Sequence, residues 1–156
     1  MWKDNIDLQI DKQFNMINCL VKLDSENVST LVTCLYGALN DVDKLRQWDH
    51  LRNIRMTYNN PWIIIGDLNF IIHRDEKEGG NPISQTELDE NNLLLSTNNL
   101  HNMNYIGNPY TWSNMRSGDE QILERLGRNL TSMDWNDLYP NAALYHLIAL
   151  GVIIAL

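Results

Sequence analysis

The chain opens on strict alternation. Ile6, Leu8 and Ile10 are apolar, and Asp7, Gln9 and Asp11 fall between and after them, the period-2 pattern of a strand with one buried face. Two more strand-like stretches follow, Phe14 to Leu23 and Val28 to Tyr36, separated by the turn-forming run Asp24-Ser25-Glu26-Asn27. The later one is rich in β-branched residues. Together the three predict an antiparallel meander. The period then changes: over Asp41 to Tyr58, the residues Val42, Leu45, Trp48, Leu51, Ile54 and Arg55 recur at helical spacing. This predicts an amphipathic helix capped by Asn40 or Asp41. Trp62-Ile63-Ile64-Ile65 is a continuous apolar run, which reads as a strand buried on both faces.

The second half is more broken. His73 to Pro82 is polar and contains Gly79-Gly80, which predicts a loop. Ser84-Gln85-Thr86-Glu87 has the form of a capping box and opens a second helix, with Leu88, Leu94, Leu95 and Leu100 facing inward. Asn108-Pro109 signals a turn, Tyr110 to Ser113 a short strand and Asn114 to Asp119 another turn. Ile122 to Leu130 fits either a strand or the start of a helix, Trp135 to Pro140 a loop, and Ala142 to Leu156 a strand-like run. A β-rich start followed by alternating helices and strands predicts a mixed sheet layered with helices. There are no repeats, low-complexity tracts or linkers.

Composition narrows the functional classes. At 156 residues the chain is long enough for one domain with a real core. Its net charge of −8 argues against a strong non-specific grip on DNA, because that grip depends on Lys and Arg neutralising phosphates. A phosphate site organised by a cation remains open, since a bound metal supplies positive charge of its own. Cys19 and Cys34 lack metal-ligand spacing and read as two reduced, buried thiols in an intracellular protein. No apolar stretch follows Met1-Trp2-Lys3-Asp4-Asn5 as a signal peptide requires. The apolar C-terminal run is too short to span a bilayer, so no membrane span is expected.

The candidate chemistry starts at Gly66-Asp67-Leu68-Asn69, directly after the apolar strand. On a strand, i and i+2 point to one side, so Asp67 and Asn69 can share a site at the sheet edge. There the carboxylate can bind a divalent cation or take a proton from water, while the amide holds it or a phosphate oxygen. An Asx turn that merely closes the strand explains the same residues. Tyr36-Gly37 and Asn40 end another strand. Tyr36 can donate to a phosphate, although an edge tyrosine followed by a glycine turn and a helix cap accounts for the group equally simply. Asp75-Glu76-Lys77-Glu78 reads as a solvated loop face. His73 and His146 have no partner at ligand spacing, and Thr111-Trp112 reads as core or sheet face rather than a stacking platform.

Taken together, several stretches resemble a known family. They are Gly66 to Asn69, the Glu76-Lys77-Glu78-Gly79-Gly80-Asn81 loop, Gly107-Asn108-Pro109-Tyr110-Thr111-Trp112-Ser113-Asn114, Glu124-Arg125-Leu126 with Arg128, and Trp135 with Tyr139-Pro140. Their order and spacing resemble the endonuclease/exonuclease/phosphatase superfamily, in particular the endonuclease-like domain of plant LINE-type retrotransposons. The resemblance runs from Trp2 to about Gly151. It implies an α/β fold, a four-layer α-β-β-α sandwich of two mixed sheets flanked by helices. It also implies phosphoester hydrolysis with Mg²⁺ or Mn²⁺, DNA as partner, and a nuclear location if the origin is a retrotransposon. Asp67 would then orient or deprotonate the attacking water and Asn69 position it, with Tyr36 and Asn40 touching the phosphate.

Three departures from the family pattern shape the functional expectation. The family's metal-binding glutamate and an earlier asparagine lie on strands that would precede Met1, so residues 1–156 are expected to form a single partial domain. Where the family reads Arg-Leu-Asp-Arg, this chain has Arg125-Leu126-Gly127-Arg128. Where the family reads Gly-Ser-Asp-His, Gly151 is followed by Val152-Ile153-Ile154. Asp67 is left as the ligand of an incomplete metal site. The expectation is a truncated, degenerate copy without activity of its own. A living metal-dependent nuclease or phosphatase, and a non-catalytic binding module on the same scaffold, are the alternatives.

Overall fold

The computed structural model describes residues 6–11, 14–22, 28–146 and 153–155. The predicted meander is present. Strands β1 (Ile6–Asp11), β2 (Met16–Lys22) and β3 (Ser29–Tyr36) pair antiparallel in sequence order. The turn expected at Asp24 to Asn27 lies outside the described residues. Helix α1 (Asp41–Thr57) then crosses over to β4 (Trp62–Asp67), which pairs parallel to β3. Two later strands complete a six-stranded sheet in the order β1-β2-β3-β4-β10-β6, where β6 is His101–Asn102 and β10 is Gly127–Thr131. β10 lies antiparallel to both its neighbours. Two three-stranded sheets stand beside it. One joins β5 (Lys77–Glu78), β9 (Leu123–Glu124) and β8 (Trp112–Ser113), and the other β12 (Ile153–Ala155), β11 (Leu144–His146) and β7 (Tyr105–Gly107).

One face of the large sheet carries the main core. Met16, Leu31, Leu35, Trp62, Ile64 and Leu130 from the strands pack with Trp48, Leu51 and Ile54 of α1 and Leu95 of α2 (Gln85–Thr97). Asn40 caps α1, its side-chain oxygen accepting from Asp43 N–H at 2.9 Å. Ser84 caps α2 by accepting from Glu87 N–H at 3.1 Å. The predicted stripe on α1 holds only for its second half. Val42 and Leu45 are exposed, and Gln47 is buried in their place. Gln47 is held by polar pairing: its Nε2 donates to Phe14 O and Tyr36 O, and its Oε1 accepts from Ala38 N–H. On α2, Leu88 and Leu95 are buried as expected, together with Asn91, whose amide donates to Ile71 O at 2.9 Å. Asn91 and Asn92 thereby satisfy the carbonyls of an irregular stretch, Phe70-Ile71-Ile72, that is itself buried.

Three other expectations are corrected. Ile122 to Leu130 is neither one strand nor a helix start but two strands broken at Arg125-Leu126. The loop expected from Trp135 is part of a short helix, α3 (Met133–Leu138). It buries Trp135 against Tyr139 at 5.1 Å between ring centroids. The cysteines are free, but they are not buried: Cys19 is half-buried and Cys34 exposed. The cause is their position. The register sets Cys19 opposite Val32 and Cys34 opposite Ile17, on the face of the sheet away from α1. Over β4 and β10 that face is covered; Ile63 and Thr131 are buried there, and α3 packs on β4. Over β2 and β3 no described element covers it. Among the described residues no helix is long and apolar enough to cross a membrane.

Candidate active-site edge

The parallel strands β3 and β4 end together, with Tyr36 in register with Asp67. On the other side of β4, Gly127 opens β10 directly opposite Asp67. Three backbone positions from distant parts of the sequence therefore line up across the sheet, at the carboxyl ends of its parallel pair, the place where open α/β sheets commonly hold ligands.

Close approach of backbones builds this edge. Gly37 N–H donates to Asp67 O at 2.7 Å, and Leu68 N–H donates to Leu126 O at 2.9 Å. A Cβ on Gly37 would lie 2.2 Å from Leu68 O, and one on Gly66 1.9 Å from Leu35 O. Gly66 also has φ +154°, which L side chains rarely adopt. Thr111 fastens the far side, its Oγ1 accepting from both Leu126 N–H and Gly127 N–H at 3.0 and 2.8 Å. Tyr36-Gly37, Gly66 to Asn69, Thr111 and Leu126-Gly127, quoted separately from the sequence, meet here.

β4 ends at Asp67, so strand alternation does not set the geometry of Asn69. Asn69 has φ +51°, and its N–H donates to Asp67 Oδ1 at 2.9 Å, which is an Asx turn. The Asn69 amide donates to Gly37 O at 2.7 Å, tying the turn to the end of β3. Burial pushes the Asp67 carboxyl above the ordinary carboxylate range, against the opposing pull of the Asn69 N–H and the Arg128 charge. Tyr36 is 52% exposed. Asn40 is engaged with Asp43 twice, accepting from its N–H and donating to its carboxylate at 2.8 Å.

The charge run at 75–78 is not uniformly solvated. Asp75 and Glu78 are exposed, but Glu76 is only 5% exposed and is the hub of the largest polar cluster beneath this edge. Its Oε2 accepts from Arg128 at 2.9 Å and Ile72 N–H at 2.8 Å, and its Oε1 from Arg125 at 3.1 Å. Burial alone would raise the Glu76 carboxyl, but the Arg128 charge and hydrogen bond, the Ile72 N–H and Arg125 outweigh it and hold it below the ordinary range. Arg128, fully buried, also donates to Phe70 O and Arg125 O. The signal for this cluster was present in the sequence. Two arginines within a strand-like run, Arg125 and Arg128, need a buried carboxylate, and burial without one would be prohibitive. Lys77 and Glu124 form a further pair on β5 and β9.

His146 stacks on Tyr105 at 4.5 Å, and its Nδ1 lies 2.7 Å from Asn108 O. Trp112 is partly exposed on β8. Several buried polar atoms lack a hydrogen-bond partner among the described residues, and Asn129 is the worst served. Asn129 on β10 is fully buried opposite Ile65, and neither its Oδ1 nor its Nδ2 has a partner among the described residues. Asn129→Val removes two unsatisfied polar atoms and adds much less bulk than leucine would, on a strand that suits a β-branched side chain. It is expected to raise stability by about 1–3 kcal/mol, read as a higher urea midpoint at unchanged slope.

The described residues do not offer a complete donor set for a divalent cation. Among the described residues no group of three or more His, Cys, Asp or Glu comes together to hold a metal ion. Asp67 has one oxygen committed to its own turn, and its cross-strand neighbour is a glycine. A magnesium site needs oxygen ligands in near-octahedral array, and these residues do not make one by themselves.

No protein-family profile and no curated protein matches the sequence. The fold does have solved counterparts. The endonuclease domain of TRAS1, a telomere-specific non-LTR retrotransposon, superposes with a TM-score of 0.62 at 17% identity, over 88% of this chain and 61% of that one. A 3'-5' exonuclease from Neisseria meningitidis gives 0.56 at 17% identity, over 83% and 57%. A β toxin from Staphylococcus aureus gives 0.54 at 16% identity, over 90% and 53%. This chain spans between about half and three fifths of the length of those structures. Its mixed sheets flanked by helices have the endonuclease/exonuclease/phosphatase-like fold.

Proposed function

We propose that this chain is a nuclease-type domain of LINE-retrotransposon descent in which Mg²⁺- or Mn²⁺-dependent phosphodiester hydrolysis has been lost. Asp67 and Asn69 are the inherited pair, with Tyr36 and Asn40 as former phosphate contacts and DNA as the ancestral partner. The observation that carries this reading is the register of Asp67 with Gly127. Where the resembling family places a carboxylate beside the catalytic one, this chain offers no side chain. Loss of one member of an acid–base or electrostatic group commonly removes about 10²–10⁴-fold in rate. What remains is a half-buried carboxylate that can accept a proton but has no described partner to pass it to. A net charge of −8 leaves little electrostatic attraction for a polyanion.

The test is incubation of the purified protein with abasic and supercoiled plasmid DNA in Mg²⁺ or Mn²⁺. No cleavage above buffer is expected. Cleavage that disappears in Asp67→Asn would overturn the proposal in favour of a living nuclease. That substitution is the cleaner choice, because the asparagine carbonyl can still accept from Asn69 N–H and keep the turn. It also removes a carboxyl whose charged form is penalised by burial. Its folded pKa is raised, so its cost to stability grows as pH climbs above the ordinary aspartate value of about 3.9. Asp67→Asn is therefore expected to melt at the same temperature as the parent, or higher, at pH 7.

A further inference from the structure

We propose that His146 is an acid-sensitive latch: on taking up a second ring proton it releases β11 and β12 from β7 and leaves the six-stranded sheet folded. The inference does not depend on the proposed loss of hydrolysis.

The geometry fixes which nitrogen carries the proton of the neutral ring. Nδ1 lies 2.7 Å from Asn108 O, and a carbonyl oxygen only accepts, so Nδ1 is the donor. Nε2 is then a bare acceptor. It is buried without a hydrogen-bond partner among the described residues, in a side chain only 5% exposed. A proton added at Nε2 creates a buried N–H with nothing to receive it, on a ring that has become a cation. Burying such a charge is costly unless it is paired.

The surroundings offer no pair. Tyr105 of β7 stacks on the ring with the two planes 6° apart, and the Arg125 guanidinium lies 4.2 Å from the centre of that same tyrosine. Glu76 is the carboxylate of this cluster, and both its oxygens already accept from Arg125 and Arg128. A protonated His146 therefore makes three cations to one carboxylate. Asn108 brings no charge, and neither does any side chain of residues 147–155. Burial, with the two arginine charges behind it, outweighs the Asn108 hydrogen bond and holds the imidazole below the ordinary histidine range.

Release is expected to be local. β11 is three residues long, pairs with β7 and β12, and is no part of the six-stranded sheet. Parting from β7 takes His146 to water, while the fully buried Leu144 keeps the open form a minor population at neutral pH. In the open form the ring titrates near about 6.5, and in the closed form lower. Each pH unit below about 6.5 thus multiplies the open-to-closed ratio by about ten, until the closed-form value is reached. Glu76 lies outside this window, because its contribution is lost only below about 4.3. The chain after β7 leads to Thr111, which fastens Leu126 and Gly127, so the latch adjoins the candidate edge.

Amide hydrogen exchange between about pH 7.5 and about pH 5, read as protection factors so that the intrinsic pH dependence cancels, tests this alongside NMR titration of the histidine rings. Protection at Tyr105 to Gly107 and at Leu144 to His146 should fall by about tenfold per pH unit below about 6.5, while protection across β3 and β4 stays level. The His146 ring should titrate below the ordinary histidine value, in step with that loss. His146→Phe keeps a flat ring against Tyr105 and takes no proton, so its protection in β7 and β11 should not change with pH. If that variant leaves β11 unpaired at every pH, the parent's own ring titration and protection decide. Protection that stays level in the parent down to about pH 5, or that falls in His146→Phe as it does in the parent, overturns the proposal. A loss shared equally by β3 and β4 overturns it as well, since that is global unfolding.

Discussion

Glu76→Ala is expected to destabilise the protein by about 3–5 kcal/mol, the range found when one partner of a buried ion pair is removed. The carboxylate is nearly inaccessible and accepts from two arginine side chains and a backbone N–H. Its removal leaves Arg125 and Arg128 facing each other in the interior without a counter-charge. Glu76→Gln keeps the shape and loses the charge, so it should fall between parent and alanine. The same residue sets an acid limit. Its folded pKa is depressed, so its contribution is fully present above the unfolded glutamate value of about 4.3 and is lost as pH falls through the lower folded value. Urea denaturation of parent and Glu76→Gln at pH 7 and at pH 3 measures both effects. The gap between the two proteins should shrink at the lower pH, and an unchanged gap would remove the electrostatic explanation.

The second large effect is expected at Gly66. A methyl group there meets Leu35 O at 1.9 Å on a backbone whose φ is +154°, so Gly66→Ala must both strain its own backbone and push β3 from β4. Backbone strain alone is worth about 1–3 kcal/mol. With the steric term the loss should exceed 3 kcal/mol, large for a single methyl group. Thermal denaturation of the purified variant reads it. Gly118→Ala is the control, since a Cβ there meets nothing within 4 Å and only its left-handed φ of +63° is penalised. Equal losses at both positions would mean that the approach of Leu35 O is not what makes Gly66 special.

The first half of the fold was legible because its signals are local. Alternation marked β1, β-branching marked β3, and Asn40 marked the start of α1, where it does cap the helix. α3 was missed because Met133-Asp134-Trp135-Asn136-Asp137-Leu138 holds no apolar stripe, and the one cap candidate, Ser132, spends its hydroxyl accepting from Trp62 N–H. The stripe on α1 misled at Val42 and Leu45 because apolarity does not report whether a sheet lies underneath. Glu76 was hidden by its charged neighbours, and its partners lie 49 and 52 residues away. The site edge divides the same way. Gly66 to Asn69 stood out by itself, but the alignment of Tyr36, Asp67 and Gly127 is a matter of strand register, which no local pattern records. Likewise, Cys19 and Cys34 looked like core because a strand apolar on both faces is indistinguishable in sequence from one that has been covered on both.

The order of the large sheet has a consequence for how the protein assembles. β1, β2, β3 and β4 are consecutive in the chain and separated only by short connections and α1, whereas β10 and β6 reach the sheet after α2 and pair with it through β4 alone. The first group closes short loops and can form early; the second must wait for a long excursion to return. β4 is thus a template before it is a core strand. Until β10 arrives, its far edge, Ile63 to Asp67, presents an open ladder headed by three consecutive isoleucines, and the slow step of folding coincides with the moment of greatest exposure to aggregation.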